Sequence, residues 1–307
     1  MKMINLKRFL DFVEIRTKLA TIFPFLTALA YVFYSTGRIN VKSTLIYIPA
    51  ALLLDMAVTA INHHFEDDSE REKHPHYSKW ISLGLIVVML LVFAGLGLYL
   101  AYLHGLTLLL VGAFCLLVGV VYSVGPAPIS KSSYGELASG FVVGTVVMFI
   151  VTTINDPQFQ PLGLAFDVQT FRLSLDIDLI GLVTFGIVTL PAALSAANIM
   201  LANNICDAEV DRDSRYTVVH NIGRQNALRL FVGLYCAGYL SIIVSVLLGS
   251  IPMICLAVLV TLVPVQKNVQ RFLQEQSKAK TFVLSVKNFV VILAAYALCM
   301  ALGRFLI

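Results

Sequence analysis

The chain has 307 residues, of which 58% are hydrophobic and only 13% charged, with a mean hydropathy of +0.85. Soluble domains carry about 25% charged and roughly 45–50% apolar residues, so a water-soluble globular protein is excluded. The net charge of +4 says little until the charges are placed along the chain.

The N-terminal stretch, residues 1–18, carries charges of both signs and lacks a short apolar core followed by a small-residue cleavage site. It does not read as a cleaved signal peptide. Crossing a bilayer takes about 20 mostly apolar residues, and nine blocks approach or meet that length. They run over 18–36, 43–62, 80–103, 106–123, 134–154, 179–202, 226–248, 250–265 and 288–305. The expected fold is therefore all-α, a polytopic membrane protein of about nine transmembrane helices in a bundle, with 1–307 as a single integral-membrane domain. His104 and Gly105 alone separate spans 3 and 4, and Gly249-Ser250-Ile251-Pro252 joins spans 7 and 8, so tight turns are expected at both places. The eighth block is short and reads as tilted or partly buried. The connector 155–178 holds Asp156, Asp167, Asp176 and Asp178 and reads as a solvated loop. Cys115, Cys206, Cys236, Cys255 and Cys299 are scattered without a CxxC pair, and read as small packing residues.

With the N-terminus in the cytoplasm, 18 of the 22 Lys and Arg residues fall on the inside. Only Arg38, Lys42, Arg172 and Arg304 fall outside. Basic residues favour cytoplasmic loops, so the expected placement is multi-pass in the cell (inner or plasma) membrane, with the C-terminus outside.

Span 2 ends in Asn62-His63-His64-Phe65-Glu66-Asp67-Asp68-Ser69-Glu70, and span 6 in Asn203-Asn204-Ile205-Cys206-Asp207-Ala208-Glu209-Val210-Asp211. Aligned on Asn62 and Asn203, both read Asn-x-x-x-acid-x-x-x-acid. Residues four apart share a helix face, so Asn62, Glu66 and Glu70 make one polar stripe, and Asn203, Asp207 and Asp211 another. Both stripes leave the bilayer on the expected cytoplasmic side, and their recurrence points to two weakly repeated halves, spans 1–4 and 5–9. Clustered carboxylates at membrane depth are costly and call for a neutralising partner. Mg²⁺, held by a few carboxylates together with substrate phosphates, is such a partner. Arg71 and Lys73 follow the first motif, Arg212 and Arg215 the second, and Lys131 lies in the loop between; a metal ringed by basic groups suits a diphosphate. Ordinary juxtamembrane charge is the bland alternative. His63, His64, His74 and His76 raise zinc, but their spacing matches no standard zinc pattern.

On these residues the chain resembles the UbiA superfamily of intramembrane aromatic prenyltransferases over essentially its whole length. Its nearest likeness within it is the menaquinone-pathway branch that prenylates 1,4-dihydroxy-2-naphthoate. The second motif with Arg212, the run Arg215-Tyr216-Thr217-Val218-Val219 with Gly223, and Tyr122-Ser123-Val124-Gly125-Pro126-Ala127-Pro128-Ile129 with Gly135-Glu136-Leu137 carry the likeness. The resemblance implies a helical bundle around a central cavity, Mg²⁺ as cofactor, a polyprenyl diphosphate donor and a dihydroxynaphthoate-like aromatic acceptor. It implies that Glu66, Glu70, Asp207 and Asp211 hold the metal and act in catalysis. It likewise implies that Asn62, Asn203, Lys73, Tyr122, Lys131, Arg212, Arg215, Arg16 and Lys18 bind substrate. Membrane lipids are the surroundings, no nucleic-acid partner is expected, and the oligomeric state stays open.

The first motif departs from the family pattern, which has Asn-Asp-x-x-Asp-x-x-x-Asp. Here His63 takes the second position, and Glu66 and Glu70 replace aspartates. Asp67 and Asp68 stand beside them. Another acceptor, a catalytically degenerate homologue and a membrane transporter are the alternatives. Against transport, the repeated acids sit at span ends and no span interior is expected to carry an ionisable pair.

Overall fold

The computed structural model describes residues 6–65, 77–167, 169–209 and 215–306, and of Arg16 the backbone alone. Among the described residues nine helices are long and apolar enough to span a membrane: Leu19–Thr36, Val41–Phe65, Lys79–His104, Leu106–Ser123, Gly135–Asn155, Leu179–Asp207, Arg224–Leu247, Met253–Gln274 and Phe282–Leu306. They are spans 1 to 9 below. A short helix, Leu6–Phe12, precedes them, and another, Val218–Ile222, lies between spans 6 and 7.

Three spans differ by five residues or more from their expected bounds. Span 6 runs on to Asp207 instead of ending at 202. Span 8 begins as a 3-10 helix, Met253–Thr261, and continues as an α-helix, Leu262–Gln274, well past residue 265. Its last turns bury Val265, Val269 and Phe272 while Lys267 and Arg271 occupy the remaining faces. An amphipathic continuation of this kind is invisible to a search for uniformly apolar runs. Span 9 begins at Phe282, before the expected 288. Asn288 is buried within it, and its side-chain oxygen accepts a hydrogen bond from Asn268 Nδ2 at 2.8 Å.

Span 6 is the spine of the bundle and packs on spans 5, 7 and 9. Its approach to span 5 is close because Gly140 and Gly144 have no side chains. A Cβ at Gly144 would stand 2.3 Å from the Ala193 backbone, and one at Gly140 would stand 2.5 Å from the Ala193 carbonyl oxygen. Lipid tails are as apolar as the helices, so close small-residue packing, not hydrophobic expulsion, drives such contacts. The Thr145 and Thr189 hydroxyls meet at 3.1 Å across the same seam, where span 5 is π-wound over Phe141–Val146. Beside it Pro191 interrupts the backbone ladder of span 6. Buried Tyr296 of span 9 donates to the nearby Val188 carbonyl at 3.1 Å. Span 2 belongs to a second packing group with spans 3 and 4, whose smaller core joins Phe12, Val13, Ala57, Ile61, Tyr77 and Met89.

Both expected tight turns are present, with Gly105 at φ 95° and Gly249 at φ 69°, values that L side chains rarely adopt. The connector 155–178 is not merely a solvated loop. It forms an antiparallel hairpin, Leu162–Asp167 with Arg172–Ile177. Three of its acids have structural duties. Asp156 Oδ1 accepts from the Gln158 amide, Asp167 accepts from the Gln169 amide and Thr170 hydroxyl in the hairpin turn, and Asp178 caps span 6 through the Gly181 amide. Leu164 N donates to Thr107 Oγ1 at 2.9 Å, which docks the hairpin on the start of span 4.

Candidate active site

Spans 2 and 6 both end on the side of the bundle opposite the hairpin, so both motifs lie at one end. Asn62 sits in the last turns of span 2. Glu66, Glu70, Lys73, Asp211 and Arg212 lie outside the described residues, as do Asp67, Asp68, Arg71, His74, His76 and the Arg16 side chain.

The second motif is well defined. Asn203 Nδ2 donates to Asp207 Oδ2 at 3.2 Å, one helical turn apart. Lys278 Nζ, from the turn between spans 8 and 9, donates both to Asn203 Oδ1 and to Asp207 Oδ2. Lys278 stands in no motif, and nothing in its local sequence sets it apart from the other cytoplasmic-side basic residues.

Asn204 is turned the other way and buried. Its Nδ2 donates to Glu136 Oε1 at 2.8 Å, which ties the start of span 5 to the end of span 6. Arg215 and Glu136 both act electrostatically on Tyr122, at the end of span 4. Among the described residues neither Tyr122 Oη nor Glu136 Oε2, both buried, has a hydrogen-bond partner. Lys131 is exposed, and its carbonyl accepts from the Tyr216 amide at 2.9 Å. Ser133 Oγ donates to the Tyr216 carbonyl at 3.3 Å. The loop after span 4 is thus laced to the segment just beyond the second motif. His220 closes that segment back on span 6. Its Nε2 donates to the Ala208 carbonyl at 3.0 Å, leaving Nδ1 to accept from Thr217 Oγ1 at 3.1 Å. Hence Tyr122, Lys131, Glu136, Asn203, Asp207 and Arg215 are brought to one end of spans 4 to 6.

The first motif sits differently. Span 2 shares its main interfaces with spans 3 and 4, not with span 6. His63 lies roughly 100° round the helix from Asn62 and leaves the polar stripe. It is buried, with Nδ1 donating to the Phe12 carbonyl at 2.9 Å and Nε2 3.1 Å from Glu14 Oε1. The departure at His63 therefore anchors the N-terminal segment. His64 Nδ1 lies 3.1 Å from Ser82 Oγ. Among the described residues no three His, Cys, Asp or Glu side chains converge.

Lys18 requires a correction. Span interiors were expected to hold no ionisable pair, yet Asp55, well inside span 2, pairs with Lys18 at 2.7 Å. Lys18 is only 2% exposed. Its ammonium also meets Thr59 Oγ1 at 2.7 Å and the Asp55 carbonyl at 3.3 Å, so in this structure it has no hydrogen left for a phosphate. Thr21 Oγ1 donates to Asp55 Oδ2 at 2.6 Å. The partners are 37 residues apart, which hid the pair from any scan of single spans. Asp55, Thr59 and Asn62 follow i, i+4, i+7 spacing and share one face, so the polar stripe of span 2 runs deeper than its motif.

The described part of the site suits a divalent cation. Two hard oxygens, Asn203 Oδ1 and Asp207 Oδ2, already converge on a single positive group, and Mg²⁺ takes oxygen ligands of this kind.

A profile of the UbiA prenyltransferase family matches residues 21–290. The chain is 28% identical over 156 residues to the 1,4-dihydroxy-2-naphthoate octaprenyltransferase of Bacillus subtilis (strain 168). That match covers 50% of this chain and 43% of the relative, so the aligned part spans less than half of the relative's length. Among solved structures, one from work on digeranylgeranylglyceryl phosphate synthase superposes with a TM-score of 0.66 at 14% identity, over 98% of this chain and 99% of that one. A UbiA homologue from Archaeoglobus fulgidus bound to GPP and Mg²⁺ gives a TM-score of 0.64 at 12% identity, over 97% and 99%. At such identities the superpositions establish a shared fold.

Proposed function

This chain belongs to the UbiA prenyltransferase family, and from that premise we propose that it transfers a polyprenyl group from polyprenyl diphosphate to 1,4-dihydroxy-2-naphthoate, giving a demethylmenaquinol, the reduced form of demethylmenaquinone. The observation that carries this reading is the convergence of Asn203 and Asp207 on one cation, at the same end of the bundle as Tyr122 of span 4, Lys131 in the loop after it and Arg215 just beyond the second motif. The acceptor rests on likeness to the Bacillus subtilis enzyme.

In this proposal Glu66, Glu70, Asp207 and Asp211 hold Mg²⁺, with Asn62 and Asn203 adding amide oxygens. Bound there, Mg²⁺ supplies the charge that stabilises a departing diphosphate. Lys73, Lys131, Arg212 and Arg215 neutralise the remaining phosphate oxygens. Arg16 belongs to the same basic group by the family resemblance, while Lys18 serves it indirectly by fixing Asp55. Tyr122 borders the diphosphate and the acceptor, where its hydroxyl can donate to either. Apolar span surfaces keep water from the allylic carbon as its bond to oxygen breaks. The electron-rich ring then attacks that carbon, and the ring carboxyl group leaves as carbon dioxide. The N-terminus lies in the cytoplasm, the C-terminus outside, and the whole chain acts as one domain.

Membranes containing the protein, given dihydroxynaphthoate, a polyprenyl diphosphate and Mg²⁺, are expected to form prenylated naphthoquinone identified by mass spectrometry. Product with another hydroxylated arene and none with the naphthoate would overturn the choice of acceptor. No transfer to any arene would overturn the activity.

A further inference from the structure

Lys278 reaches the second motif from a turn 71 residues away in sequence. The turn itself is well built. The Ser277 amide donates to Thr281 Oγ1 at 2.9 Å, and Thr281 Oγ1 donates to the Glu275 carbonyl at 2.7 Å. A second link joins the same turn to the residues just past span 6, because Arg224 bonds both Gln276 Oε1 at 2.9 Å and Glu209 Oε1 at 3.3 Å. Lys280, two residues on, is taken up by Glu275 at 2.8 Å, which holds its pKa above the ordinary lysine value. Lys278 is thus the lysine of this turn that is aimed at Asn203 and Asp207. Its side chain is 51% exposed and that of Asp207 25%, so the contact opens without disturbing the core. The ring of Phe282, 5.3 Å from Nζ, flanks it.

An ammonium group and a divalent cation cannot share the same two oxygens, because like charges in contact repel. Loading the motif with metal therefore displaces Lys278. Its flexible four-carbon stem leaves the ammonium near the site, where the phosphate that enters with the metal offers it a new negative partner. We infer that Lys278 is an exchangeable counter-ion. It holds Asn203 and Asp207 while no divalent cation is bound, then transfers to the diphosphate oxygens when metal and diphosphate enter. This inference rests on reading the site as a metal–diphosphate site.

The test is Mn²⁺ titration followed by electron paramagnetic resonance on the purified full chain, alone and with inorganic diphosphate. Lys278→Met is expected to bind Mn²⁺ about tenfold more tightly than wild type when alone, since a competing cation has gone. With diphosphate present it is expected to bind the pair about tenfold more weakly, since a phosphate ligand has gone. Lys278→Arg, which keeps the charge, should stay near wild type in both, and Lys280→Met should change neither. A merely structural lysine would weaken both. Unchanged Mn²⁺ affinity in Lys278→Met, or losses in both titrations, overturns the counter-ion role while leaving the metal site intact. Wild-type protein that binds no Mn²⁺ overturns the metal–diphosphate reading, and this inference with it.

Discussion

Asn204 Nδ2 donates to Glu136 Oε1 across 2.8 Å, between residues 68 apart in sequence and both nearly inaccessible. The bond fastens the end of span 6, which carries Asn203 and Asp207, to the start of span 5. Leaving a buried polar group without its partner costs about 1–3 kcal/mol. Glu136→Leu should therefore lower stability by about 2 kcal/mol, measured by thermal unfolding in detergent. Glu136→Gln keeps an accepting oxygen and should lose less than half of that. Equal losses in the two variants would show that the bond is not what holds these helices together.

Lys18 and Asp55 make the second pair with a consequence. Removing Lys18 strands the Asp55 carboxylate, which is 29% exposed and keeps the Thr21 hydrogen bond, so the cost is about 2 kcal/mol, below that of a fully buried pair. Lys18→Met should thus be far more destabilising than loss of an exposed lysine. The double variant Lys18→Met with Asp55→Leu should recover much of the loss, because no unpaired charge remains. A double variant as unstable as the single one would contradict this account.

The span 5–span 6 seam makes a steric prediction. Gly144→Ala places a methyl group against the Ala193 backbone, which cannot swing aside. Overpacking of this kind costs about 1–3 kcal/mol. Gly186, whose added Cβ would meet nothing within 4 Å, should accept alanine with little change in unfolding temperature. The comparison separates a packing effect from the general consequence of placing alanine in a span.

Orientation is testable without a structure. The proposed topology places the C-terminus outside, so alkaline phosphatase fused there should be active and a fluorescent protein dark. The opposite pair of results would invert the bundle and place the motifs on the outer face.

Much of the fold was legible because a membrane span announces itself by composition: its backbone bonds are internal and its surface faces lipid. Six of nine spans begin and end within three residues of the expected bounds. Span 8 was cut short because its amphipathic end, with Val265, Val269 and Phe272 on one face, lacks a uniformly apolar run. The hairpin is not legible because Asp167 in its turn, like Asp178 just beyond it, looks like solvated charge until its amide partner is known. Within the site, Asn203 and Asp207 were legible from four-residue spacing. Lys278 and Asp55 were not, since each is defined by a partner dozens of residues away. His63 appeared as an anomaly in a metal motif, and its ring proves to serve the N-terminal segment through Phe12 and Glu14.

In the proposed reaction the second motif drives prenyl transfer to a naphthoate. The most direct test is the quinone content of cells that lack their own naphthoate prenyltransferase and express this chain, beside the Asp207→Ala variant at equal membrane abundance. Restored demethylmenaquinone and its derivatives with wild type, and none with Asp207→Ala, is the predicted result. Equal quinone from both proteins, or none from wild type despite normal insertion, would contradict the account.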